Sequence, residues 1–91
     1  DDTLLTIIEQ HHEKIDGSGY PYGLKAHQIH DLAKIVAICD IFNALTTRRT
    51  YKDRMSSFYA FNIMFSEMKN QLCPTYLKKF VKFMGYHEES E

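Results

Sequence analysis

Three features of the 91-residue sequence point to an all-α bundle of about four helices with one ordered glycine-rich loop. Apolar side chains recur at spacings of three and four in four separate segments. No segment alternates apolar and polar residues as a half-buried strand would. Three of the four glycines fall in the run DGSGYPYG, from Asp16 to Gly23, where neither helix nor strand can continue.

Leu4, Leu5, Ile8, His11 and His12 carry the first helix, an inward face that ends in two histidines, with Thr3 or Asp2 placed to cap it. The glycine loop follows. Asp31 is the expected N-cap of a central helix whose apolar positions are Leu32, Ile35, Ile38 or Cys39, Phe42 and Leu45, running to about Thr47. The stretch TRRTYKDRMSS breaks this periodicity, and Ser56 or Ser57 offers the next cap. A third helix then carries Phe58, Phe61, Met64 or Phe65, and Met68, with its end expected near Asn70. Pro74 suits the first turn of a last helix with Leu77, Phe80, Val81 and Met84 on its apolar side, and Gly85 is placed to end it. No internal repeat, low-complexity segment or long linker divides the chain, so residues 1–91 read as one domain or a piece of one.

Hydrophobic content of 44% and charged content of 25% set the chain apart from disordered polar segments, so it should fold. A formal net charge of −1 supplies no basic surplus for DNA, RNA or anionic membrane, and any anionic ligand must be met by a local site. Cys39 and Cys73 have neither metal-binding nor disulfide-framework spacing and read as reduced, buried thiols of a cytosolic protein. The longest apolar stretch, Ile35 to Leu45, is too short to span a bilayer and is interrupted by Asp40 and Asn43. The chain opens on Asp1 and Asp2 without an initiator Met or a basic n-region, which leads us to expect no signal peptide and a longer parent protein.

Asp40 is the only charge in IVAICDIFNAL and is expected to be buried. A buried carboxylate costs several kcal/mol unless something positive faces it. Two arrangements meet that need: a salt bridge, for which Arg48 and Arg49 are close in sequence, or a metal ion. His11 and His12 supply neutral ligands of the commonest kind. A regular helix turns adjacent side chains about 100° apart, so the two rings meet one ion only at a distorted helix end, or else serve two ions. The alternative is one buried hydrogen-bonding ring beside a solvated one. His27, His30 and His87 lie in polar settings and read as solvated. The glycine loop can turn backbone N–H groups toward a phosphate. Tyr20 and Tyr22 can stack on a base or pack over their neighbours. Arg48, Arg49 and Lys52 can meet phosphates or form a solvated connection between helices.

Taken together, these pieces resemble a known family. HHEKIDGSGYPYGL resembles the HHExxDGxGYPxGL signature of HD-GYP domains, and CDIFNALTTRRTYK is similar to the family's DxFDALTxxRPYR segment. LCPTYLKKF is more distantly similar to FDPxLVxxF, so the resemblance runs from His11 to about Phe83. It departs at Asn43 and Cys73, where the family carries aspartate.

The resemblance implies an all-α fold of the HD type, with His11, His12 and Asp40 as metal ligands. It further implies a centre of about two or three divalent ions, usually iron or manganese, whose bridging hydroxide attacks the phosphorus of cyclic di-GMP or a related cyclic dinucleotide. By the same carry-over Gly19, Tyr20 and Pro21 lie near the substrate, Arg49 and Lys52 meet its phosphates, and Glu13 and Asp16 orient ligands rather than bind metal. The His-Asp dyad of the family belongs upstream, so residues 1–91 correspond to the C-terminal half of a domain, inactive alone, in a bacterial signalling protein with this part in the cytoplasm. Two further readings accompany this one: a non-catalytic GYP-type binding module, and a mononuclear site built on His11, His12 and Asp40. Faces left uncovered by the missing half would be apolar and would favour a homodimer or a signalling-domain partner.

Overall fold

Helix α2 forms the axis around which the other helices pack. The computed structural model describes residues 2–47 and 56–85. These form α1 (Asp2–Gln10), a 3-10 turn (Ala26–Gln28), α2 (Asp31–Thr46), α3 (Ser57–Ser66) and α4 (Pro74–Phe83). Helix α2 contacts α1, α3 and α4, and α3 also contacts α4. Among the described residues the only extended pairing is an isolated antiparallel bridge between Asp16 and Lys25, at the base of the glycine loop. No described helix is long and apolar enough to cross a membrane.

The core lies between α2, α3 and α4. Ile38, Phe61, Met64, Leu72 and Leu77 are buried together, with Phe42 and Phe80 packed against them. Phe42 stacks on Phe61 at a centroid distance of 4.9 Å and meets Phe80 edge-on at 5.3 Å, both favourable aromatic geometries. Burying each such large side chain contributes about 1.5–3 kcal/mol. Ala33, Ala37 and Ala60 are also buried, small enough to sit where helices approach closely.

Local chemistry sets several boundaries as expected. Ser56 caps α3, its hydroxyl accepting the Tyr59 N–H at 3.2 Å. Pro74 stands in the first turn of α4, and Gly85, at φ +97°, turns the chain out of it. Helix α2 ends at Thr46 with Thr47 as its C-cap.

Several other expectations are overruled. The N-cap of α2 is His30 rather than Asp31: its Nδ1 accepts the Leu32 N–H at 3.0 Å, while its own backbone N–H donates to Gln10 Oε1 at 2.7 Å. Asp31 is instead the first helical residue, where its charge favours the helix N-terminus. Helix α3 stops at Ser66, short of Asn70, because the Met68 carbonyl accepts the N–H groups of both Gln71 and Leu72 and turns Leu72 into the core.

The inward face of α1 is not the leucine face. Leu4, Leu5 and Ile8 are 58%, 59% and 56% exposed, and the half-buried side is Thr3, Thr6, Ile7 and Gln10. Helix α2 likewise buries Ala33, Ala37 and Ile38, and leaves Leu32 exposed and Ile35 and Cys39 in an open groove against Phe80 and Phe83 of α4. Both cysteines are free, Cys39 exposed and Cys73 half-buried, which corrects the expectation of two buried thiols.

Candidate functional site

The end of α1 is tightened, and this brings the two histidines together. His11 continues the helical pattern, its N–H donating to Ile7 O at 3.0 Å, but the Glu13 N–H reaches back only three residues, to Gln10 O at 2.9 Å. The rings of His11 and His12, which a regular helix would splay, have centroids 4.0 Å apart and are tilted by 40°. This is the distorted helix end that convergence requires.

His11 is held by its own helix. Its Nδ1 lies 2.9 Å from Ile8 O and 3.2 Å from Ile7 O, and since carbonyls only accept, Nδ1 carries the proton. In the neutral ring the lone pair is then on Nε2, which faces Asp40 Oδ2 at 4.0 Å. Two acceptors facing one another at this distance are satisfied by a donor or cation between or beside them: water, a proton or a metal ion.

Asp40 is nevertheless not the buried charge expected. Its side chain is 60% exposed. The carboxylate does point at the end of α1, so the juxtaposition stands while the burial argument for it falls. Arg48, Arg49 and Lys52, and His87, lie outside the described residues.

The glycine loop is clamped from within by Glu13, the one buried charged residue among those described, at 3% exposure. Its Oε2 accepts the Tyr22 N–H at 2.7 Å and its Oε1 the Leu24 N–H at 2.8 Å. Asp16 closes the first turn of the loop, its Oδ1 accepting the Ser18 hydroxyl at 2.6 Å and the Ser18 N–H at 3.0 Å. These two bonds, the hydroxyl's first, hold the Asp16 carboxyl below its ordinary value of 3.8. The base of the loop is tied to the α3–α4 connection by the Ile15 N–H, which donates to Gln71 O at 3.1 Å.

Gly19 lies against the backbone of the histidine turn. A Cβ there would sit 2.5 Å from Lys14 N and 2.6 Å from Glu13 Cα and would also collide with His12 O, so only glycine fits. The next residue, Tyr20, donates its N–H to His12 O at 3.2 Å and lays its ring on the His12 imidazole, 4.9 Å between centroids and 18° between planes. The Tyr20–Pro21 bond is cis.

The expectation that loop N–H groups face a phosphate is thereby narrowed. Those of Gly17, Ser18, Tyr20, Tyr22 and Leu24 are spent on Lys14 O, Asp16, His12 O and Glu13. Tyr20 and Tyr22 keep open ring surface at 60% and 61% exposure.

The donors near Asp40 fit a first-row divalent ion in kind, an imidazole nitrogen and a carboxylate oxygen. Among the described residues they do not gather into a group of three His, Cys, Asp or Glu that could hold one. His11 and Asp40 are thus paired, and His12 lies beside them with its ring against Tyr20.

The all-helical bundle thus brings a histidine turn against an aspartate of its central helix. Residues 2–75 match the family model described as HD domain, and the chain belongs to that family. It is 40% identical over 84 residues to the cyclic di-GMP phosphodiesterase PA4108 of Pseudomonas aeruginosa, a match covering 92% of this chain and 20% of that protein. It is 40% identical over 76 residues to a cyclic di-GMP phosphodiesterase of Thermotoga maritima, covering 84% of this chain and 21% of that protein. It is 48% identical over 58 residues to the 3'3'-cGAMP-specific phosphodiesterase 1 of Vibrio cholerae, covering 64% of this chain and 14% of that protein. The chain therefore spans about a fifth or less of the length of these relatives. They are of the type named by the HHEKIDGSGYPYGL resemblance.

Proposed function

We propose that this chain is the C-terminal part of a metal-dependent phosphodiesterase domain that opens a cyclic dinucleotide, cyclic di-GMP in the first instance, in bacterial second-messenger signalling. The observation that carries the reading is the His11–Asp40 pair, a fixed imidazole lone pair facing a carboxylate at 4.0 Å beside the glycine loop. His11 and Asp40, with His12 next to them, would hold part of a centre of divalent iron or manganese. A metal bound there supplies an activated water and charge stabilisation for phosphoryl oxygens.

This chain's own residues do the rest. The Ile8 carbonyl keeps the proton on Nδ1 of His11 and leaves Nε2 free to bind. Glu13 and Asp16 give the loop its shape, and Gly19 lets it cross the histidine turn. The open faces of Tyr20 and Tyr22 suit the flat surface of a guanine base, and Pro21 lies between them. Arg49 and Lys52 suit its phosphates by charge.

A second reading has its own support. Only two of the three expected donors face one another among the described residues, which suits a GYP-type binding module without catalysis. The exposed Leu4, Leu5 and Ile8 call for an apolar neighbour, which we take to be the remainder of the domain or, for the chain alone, a second copy. A cytoplasmic location follows from the substrate proposed.

The test is hydrolysis of cyclic di-GMP with added manganese or ferrous iron, by this chain and by a longer protein that contains it, side by side. The reading expects turnover by the longer protein and none by the chain. Tight binding of the dinucleotide without hydrolysis by the longer protein would favour the binding module instead.

A further inference from the structure

The two histidines of the turn are held by different means. His11 is fixed by its Nδ1–H bond to Ile8 O at 2.9 Å, the usual device by which a ligand imidazole is oriented. His12 is exposed, and among the described residues no hydrogen bond reaches either of its ring nitrogens. Two other rings nevertheless lie against it. The Tyr20 ring lies nearly parallel to it at 4.9 Å, and the His11 ring lies 4.0 Å away on a 40° tilt.

The backbone that carries the Tyr20 ring is itself held against the histidine turn. Its N–H is bonded to His12 O at 3.2 Å, and the preceding Gly19 rests against the backbone of His12, Glu13 and Lys14. Two residues further on, the Tyr22 N–H is held by buried Glu13. The loop and the histidine turn are thus one unit, and Tyr20 is the point where the loop touches a ring.

We infer that Tyr20 is a positioning residue for His12: its aromatic face takes the place of the missing ring hydrogen bond and holds the imidazole plane in the orientation a metal requires. This role rests on the reading of His12 as a metal ligand. It belongs to the ring of Tyr20, not to its hydroxyl, and it assigns the loop a structural task at the metal site separate from any contact with substrate.

The experiment uses the chain with Zn²⁺ alone as probe, followed by nuclear magnetic resonance of the histidine side chains, comparing Tyr20→Ala, Tyr20→Phe and Tyr22→Ala. Without metal, the carbon-bound ring protons of His12 should be shifted upfield by the Tyr20 ring, and only Tyr20→Ala should release them. With Zn²⁺, Tyr20→Ala should weaken binding about tenfold, as loss of an orienting partner does. Tyr20→Phe, and Tyr22→Ala from the same loop, should keep wild-type affinity. The amide signals of Ile38 and Met64 report whether each variant keeps its core. Unchanged His12 shifts or Zn²⁺ affinity in Tyr20→Ala would overturn the proposal, as would an equal loss in Tyr20→Phe. If Zn²⁺ leaves the wild-type His12 signals unmoved while the upfield shift is present, His12 is no ligand, and it is the metal reading that has failed.

Discussion

Nε2 of His11 and Oδ2 of Asp40 face each other at 4.0 Å, across the junction between α1 and α2. The imidazole proton is committed on the far side of the ring, to Ile8 O, so both facing atoms are acceptors while the ring is neutral. Such a pair is satisfied by a cation, or by water donating to both atoms. The direction of the His11 lone pair toward Asp40 is thus set by local hydrogen bonding, independently of any likeness to other proteins.

Glu13 is where the loop is expected to be most sensitive. Its two carboxylate oxygens accept two backbone N–H groups inside the protein, and charge-assisted bonds of this kind contribute about 1.5–3 kcal/mol each. Since water can replace part of this, Glu13→Ala should cost about 2–4 kcal/mol in urea denaturation and raise amide exchange at Tyr22 and Leu24. Glu13→Gln, which keeps one acceptor and turns a donor toward the other N–H, should fall between. A loss below about 0.5 kcal/mol, the range of ordinary surface changes, would mean the clamp contributes little.

Asp16 predicts a pH dependence of the loop. Its carboxyl is held below its ordinary value of 3.8 by the Ser18 hydroxyl and then by the Ser18 N–H. A depressed folded value means the unfolded chain binds the proton more readily, so the contribution is fully present above about pH 4 and is lost as pH falls through the folded midpoint. Carboxyl titration by nuclear magnetic resonance should place Asp16 below the ordinary range, and Ser18→Ala should bring it back up. An unchanged midpoint in Ser18→Ala would remove the stated cause.

Cys73 offers a gain in stability. It occupies the N-cap of α4 with extended backbone, φ −66° and ψ 115°, but makes no side-chain cap bond. Cys73→Asp restores the residue found in the similar family segment and supplies an acceptor for the first turn, worth about 0.5–2 kcal/mol. Thermal melting should rise by several degrees, since about 1 kcal/mol moves a domain of this size by about 4–8 °C. A fall would show that the half-buried setting of Cys73 rejects the charge.

What could be read from the residues in advance was what neighbours in sequence decide. Ser56, Pro74 and Gly85 act on their own turns, and each sits where its cap or break was expected. The exposure of Leu4, Leu5, Ile8 and Asp40 depends on what covers α1 and α2, and periodicity marks an apolar face without naming its partner. His30 became a cap through a bond to Gln10, twenty residues away, for which a single histidine in a polar stretch gives no sign. The motif brought His11, His12, Asp40 and Glu13 to notice. Their separate settings, one histidine bonded to a carbonyl, one with its ring beside Tyr20, and the glutamate turned toward the loop, are seen only in the fold.

If His11 and Asp40 share a divalent ion, as we propose, paramagnetic Mn²⁺ broadens both. At low Mn²⁺, side-chain signals of His11 and Asp40 should broaden before those of any other carboxylate or histidine, and Asp40→Ala should abolish the selective effect on His11 while leaving the core signals of Ile38 and Met64 in place. If His11 and Asp40 stay sharp while solvent-facing acids such as Asp2 or Glu9 broaden, the pair does not bind the ion.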